Sequence, residues 1–103
     1  MEGIMDIYYL KDHICEELDG AQDYLMKALN TKDDHPEWAK SFYEMSNMEL
    51  EHARSLYKMF MEYFKQINTD PTLESYMIPF RDNVMKTFTE RVGAIKYMQE
   101  MYK

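Results

Sequence analysis

Apolar positions recur along this chain at steps of three and four, the helical period, and two clusters of helix breakers interrupt them. The clusters are "NTKDDHP", residues 30–36, and "NTDPT", residues 68–72, with a further proline at Pro79. Ile7, Leu10, Ile14, Leu18, Ala21, Leu25 and Ala28 predict a first helix over about 6–30. Residues 1–5 read as a ragged start, since Met5 could also initiate the chain. Pro36 suits a first helical turn and Glu37 suits the positive end of the helix dipole, so a second helix is expected over about 36–67. At 1.5 Å per residue it would be roughly 48 Å long. Phe80, Val84, Phe88, Val92, Ile95, Met98 and Tyr102 mark a third helix over about 72–102, starting near Asp70–Pro71 or afresh at Pro79. No strand pattern, internal repeat or low-complexity stretch is visible. The expectation is an all-α fold, with residues 1–103 as a single domain.

The second helix carries two apolar stripes side by side. Trp38, Phe42, Met45, Glu49, His52, Leu56, Met59 and Tyr63 alternate steps of four and three, an unbroken heptad-type seam. Beside it run Ala39, Tyr43, Ser46, Leu50, Ala53, Tyr57, Phe60, Phe64 and Ile67. So broad an apolar surface needs more than one partner helix. In the first seam, Glu49 and His52 stand where apolar side chains are expected. Helix 1 has a matching oddity, because Leu10, Ile14, Glu17, Ala21, Tyr24 and Ala28 form a seam interrupted by one acid. Glu16 sits about 100° round that helix, toward its polar side.

A short loop makes the first two helices an antiparallel hairpin. Glu17 and Glu49 each lie sixteen residues from Asp33, so a turn centred there brings them to one level, with His52 one turn along. Two ionised carboxylates held together away from water repel, and one would take a proton unless a cation intervened. Glu-x-x-His offers an oxygen and a nitrogen on one helix face, a donor set suited to a transition metal. A di-iron carboxylate bundle needs two Glu and two Glu-x-x-His, and one hairpin supplies one of each. Helix 3 has no second Glu-x-x-His, and its acids Asp82, Glu90 and Glu100 lie off its apolar stripe. A second copy of the chain is the simplest completion: two hairpins forming a four-helix bundle by homodimerisation.

The net charge of −7 argues against nucleic acid as a partner. Cys15 is the single cysteine, which excludes an intramolecular disulfide, a CxxC redox pair or a cysteine-based zinc cluster. No apolar run reaches membrane-span length and no signal peptide is visible, so a cytoplasmic protein without a membrane partner is expected.

"EELDGAQDY", residues 16–24, resembles the first-helix motif of the ferritin-like superfamily, in which a metal-binding Glu precedes a Tyr by seven residues; here these are Glu17 and Tyr24. "MELEHARSL", residues 48–56, resembles the Glu-x-x-His-Ala motif of the next helix, as Glu49, His52 and Ala53. The likeness covers roughly residues 6–67 and is strongest to the rubrerythrin and encapsulated-ferritin branches. It implies binding of two irons at a site shared in a dimer, with Mn or Zn as substitutes, and reaction with oxygen or peroxide. Rubrerythrins pass electrons through a cysteine-ligated iron domain and carry a second motif pair; this chain shows neither. Encapsulated ferritins, with a hairpin, a further helix and metal sites between subunits, resemble it better. "YMQEMYK" contains no recognisable encapsulation tail, so an encapsulating shell is not expected as a partner.

The resemblance thus implies Glu17, Glu49 and His52 as metal ligands, with Tyr24 as a catalytic residue whose hydroxyl could hydrogen-bond a bridging ligand; Glu16, beside Glu17 in the sequence, is a further metal-ligand candidate. Blander roles stand beside these. Glu49 and His52 could form a buried pair that sets register. Glu16 could be a solvated acid and Tyr24 a core residue. His13 fits a helix-pairing role or an extra ligand, and His35 fits loop and helix-start chemistry. The eleven methionines suit adaptable packing better than a copper site. Two functions follow: a ferroxidase or iron-handling protein, and a non-catalytic helical assembly protein with a structural metal or none.

Overall fold

The computed structural model describes the backbone of residues 2–67 and 71–103 and the side chains of residues 6–66 and 75–103. These residues form α1 (Glu2–Thr31), α2 (Pro36–Ile67) and α3 (Pro71–Tyr102), and no strand occurs among them. Helix α1 begins at Glu2, four residues before the apolar stripe requires it. Helix α3 begins at Pro71 and runs through Pro79, so the alternative start at Pro79 is not used. Residues 68–70 of the second breaker cluster, and the side chain of Ile67, lie outside the described residues.

Helices α1 and α2 pack as an antiparallel hairpin through small side chains. Ala21 and Ala28 of α1, and Ala39, Ser46 and Ala53 of α2, are wholly buried. Each lacks the bulk that would hold the backbones apart. Larger groups fill the space between these contacts, notably Ile7, Ile14, Leu18 and Leu25 against Leu50, Phe60 and Phe64. Each such side chain stabilises the fold by about 1.5–3 kcal/mol on full burial. At the turn, the His35 amide donates to the Thr31 carbonyl (2.7 Å) and the Ala39 amide to the His35 carbonyl (3.0 Å). His35 therefore accepts the first bond of α2, and its ring stacks on Trp38 with centroids 3.9 Å apart.

Helix α3 lies along one side of this hairpin, parallel to α1 and antiparallel to α2. Phe80 meets Tyr8 (4.8 Å between centroids), Phe88 stacks on Tyr57 (4.0 Å) and Tyr102 on Tyr43 (4.6 Å). Polar ties fix its register. Arg91 donates to Asp19 (2.7 Å), Gln99 donates to Asn47 (2.6 Å), and the Lys32 ammonium bonds the Tyr102 carbonyl.

The Cα trace measures 56 × 20 × 14 Å. A helix with its side chains is about 10–12 Å across, so the short dimensions hold a triangle of helices with no second covering layer. This geometry decides which of the two stripes of α2 is its core face. The buried stripe is the one through Ala39, Ser46, Leu50, Ala53, Phe60 and Phe64. The heptad seam through Glu49 and His52 lies at its margin, where Trp38, Met45 and Met59 are 58 %, 42 % and 52 % exposed. The reason is geometric. The inner stripe faces the close approach of α1, while the neighbouring seam runs along the edge of that contact, where Phe42 stacks on Tyr24 and Tyr63 donates to Asp6 but Trp38, Met45 and Met59 stay open to water. No helix among the described residues is long and apolar enough to cross a membrane.

Candidate metal centre

Glu17 projects from α1 beside α2, on the side away from α3. Glu49 and His52 are one turn apart on α2 and share a face. One ligand atom from each of Glu17, Glu49 and His52 lies within 4.8 Å of the other two. Nδ1 of His52 is 3.5 Å from Oε2 of Glu17; the glutamate side chain is 19 % exposed and the imidazole 58 %. The level of the two carboxylates is held by a buried bond, from Ser46 Oγ to the Ala21 carbonyl at 2.7 Å. Ser46 stands one turn before Glu49 and Ala21 one turn after Glu17, so this bond locks the register at the site.

Oε2 of Glu17 is shut off from solvent and has no hydrogen-bond partner while both carboxyls are ionised. An unpaired carboxylate oxygen in that position is costly. Glu49 feels the same crowding. Its carboxyl is held above its ordinary value of 4.5, first by the hydrogen bond its protonated form makes to Glu17, then by burial and by repulsion from the Glu17 charge. His52 pulls it the other way. Either a proton or a cation relieves this arrangement. Two carboxylates and an imidazole are a donor set that suits Fe, Mn or Zn. The buried, unpartnered oxygen lies 3.5 Å from Nδ1 of His52, with a Glu49 ligand atom within 4.8 Å, so the residues fit a metal.

A glycine contributes to the geometry. A Cβ added to Gly20 would lie 3.2 Å from Oε2 and 3.3 Å from Cδ of Glu49. The Glu49 carboxylate therefore rests against the bare backbone of α1.

The other sequence candidates fall outside this group. The Glu16 side chain is 74 % exposed and lies 3.9 Å from Nε2 of His13. Tyr24 stacks on Phe42 (6.3 Å between centroids), with the Lys27 ammonium over both rings. Sequence reasoning missed Gly20 and the Ser46 bond. A glycine in mid-helix, three residues after an inward acid, is a signal that could have found the first.

The rubrerythrin family model matches residues 9–103. The chain belongs to the rubrerythrin family. The match runs through α3 to Lys103, beyond the residues 6–67 that carry the motif resemblance. Rubrerythrins typically bind iron, and the grouping of Glu17, Glu49 and His52 is of the kind that could hold a metal ion. No curated protein and no solved structure matches the chain significantly.

Proposed function

We propose that this rubrerythrin-family chain is a di-iron carboxylate protein that binds iron between two copies of itself and oxidises Fe(II). The observation that carries the proposal is the unpartnered Glu17 oxygen near His52 and Glu49, on a side of the hairpin that no helix covers among the described residues. One chain offers three ligand groups. Two chains related by a two-fold axis would offer four carboxylates and two imidazoles, the complement of a two-metal bundle site. The uncovered side also carries Tyr9, Trp38, Met45 and Met59, each more than 40 % exposed. Packing two hairpins across these residues removes them from water and completes a four-helix bundle.

Within that assembly Glu17, Glu49 and His52 would hold the ions. Glu49 and His52 come from one helix face and fix the spacing of oxygen and nitrogen. Glu17 contributes charge from the facing helix. The bound pair supplies Lewis acidity and one-electron redox chemistry. Fe(II) is the substrate: each ion gives up one electron, and dioxygen or hydrogen peroxide accepts the electrons. Tyr24 acts beyond the ligands, through its hydroxyl. Mn or Zn would occupy the same donors without the ferroxidase turnover. Cytoplasmic residence accords with a site that handles Fe(II).

The exposure of that apolar face also supports a second reading, in which the chain is a non-catalytic assembly protein and the face serves pairing alone. Metal content after purification, sedimentation, and Fe(II) oxidation followed by ferric absorbance separate the two. A dimer that binds stoichiometric iron and oxidises Fe(II) supports the first reading. A metal-free dimer inert to Fe(II) supports the second.

A further inference from the structure

We propose that Gly20 is a positioning residue, a cradle in α1 that lets the Glu49 carboxylate reach the point it shares with Glu17 and His52. The inference rests on the metal-site reading above. Glycine in a helix interior is less favourable than alanine, because it loses more backbone freedom on folding. Gly20 lies well inside α1, and a side chain there would press on Glu49, its Cβ falling 3.2 Å from the carboxylate oxygen Oε2. That separation is tighter than ordinary van der Waals contact, so Glu49 would have to move outward by a few tenths of an ångström. Metal binding tolerates little such displacement, because ligand geometry sets affinity. Gly93 provides the internal comparison. It too lies inside a helix, yet a Cβ there meets no heavy atom within 4 Å among the described residues. The helix penalty is common to both glycines, whereas the contact with a ligand-type carboxylate belongs to Gly20.

The test compares wild type with Gly20→Ala, Gly20→Ser and Gly93→Ala. Each chelator-treated protein is melted, sedimented and titrated with Co(II), whose visible spectrum reports ligand geometry. Gly20→Ala should melt no lower than wild type without metal. It should bind Co(II) about tenfold more weakly or worse, with altered visible bands, and Gly20→Ser should lose more. Gly93→Ala should gain helix stability and leave Co(II) binding unchanged. Unchanged affinity and spectrum in both Gly20 variants would overturn the inference while leaving the metal site intact. Loss of assembly in metal-free Gly20→Ala would assign the glycine to the contact between copies and overturn it too. Wild type that takes up no Co(II), Fe(II) or Zn(II) would remove the metal-site reading itself, and the role of Gly20 with it.

Discussion

Nδ1 of His52 lies 3.5 Å from Oε2 of Glu17, an oxygen that solvent does not reach and no hydrogen bond satisfies. The two residues sit on different helices, and the buried bond from Ser46 to the Ala21 carbonyl holds those helices in register. A protonated imidazole would give one partial answer to that oxygen. A metal ion bound by the imidazole and both carboxylates answers it more fully, because it neutralises Glu49 as well.

Metal should therefore stabilise the folded protein. A ligand that binds only the native state contributes about 2.7 kcal/mol at a hundredfold excess over its dissociation constant. Fe(II) under anaerobic conditions, or Co(II), Mn(II) or Zn(II), should raise the melting temperature of chelator-treated wild type. Glu49→Ala and His52→Ala should abolish most of the rise. An equal shift in those variants would place the binding elsewhere.

Glu17→Gln should act with opposite signs on the two states. Without metal it removes a charge beside Glu49, and the introduced amide can donate to the Glu49 carboxylate. The metal-free protein should gain stability, on the order of 1 kcal/mol. With metal the same change deletes a ligand, so the thermal response and any Fe(II) oxidation should fall. Glu16→Gln, on an exposed side chain, should leave metal-free stability within about 0.5 kcal/mol of wild type. Melting curves of both variants with and without Fe(II) check this. A stability loss in metal-free Glu17→Gln would mean the carboxylate already has a structural partner.

The pH dependence follows from Glu49. Its folded carboxyl titrates above its ordinary value, so the native state holds that proton more tightly than the unfolded chain does. The group's contribution is full below the unfolded value of 4.5 and is lost as pH rises through the raised folded value. Metal-free wild type should lose stability relative to Glu49→Gln across that interval. Metal binding requires the carboxylate ionised, so the stabilisation by Co(II) should grow with pH over the same interval. Urea denaturation at closely spaced pH values, with chelator and with Co(II), reads both slopes. Parallel slopes for wild type and Glu49→Gln would show that Glu49 titrates normally.

Assembly should depend on the uncovered side of the hairpin. Met59→Asp places a charge among side chains that a second copy would bury, while the free chain leaves Met59 52 % exposed. Wild type should sediment as a dimer or larger, and Met59→Asp should sediment as a monomer with a far-UV spectrum unchanged. Its thermal response to metal should weaken as well, since a shared site is lost with the partner. Full assembly of Met59→Asp would move the contact to another surface.

The helices and their pairing were legible in the residue pattern, because helical periodicity and its breakers are local properties. Steps of three and four marked all three apolar faces, and the short loop at Asp33 required α1 and α2 to run antiparallel. Counting from that turn brings Glu17 level with Glu49, since two straight helices of equal rise keep equidistant residues opposite. Which of α2's two stripes is buried was not legible. Both are apolar and they lie side by side; the choice depends on where α1 and α3 together press, which no local pattern encodes. The orphaned Glu17 oxygen and the cradle at Gly20 are likewise products of packing. Helical spacing puts a carboxylate on a face, but solvent exclusion and a contact of 3.2 Å arise only when two backbones approach closely across small residues.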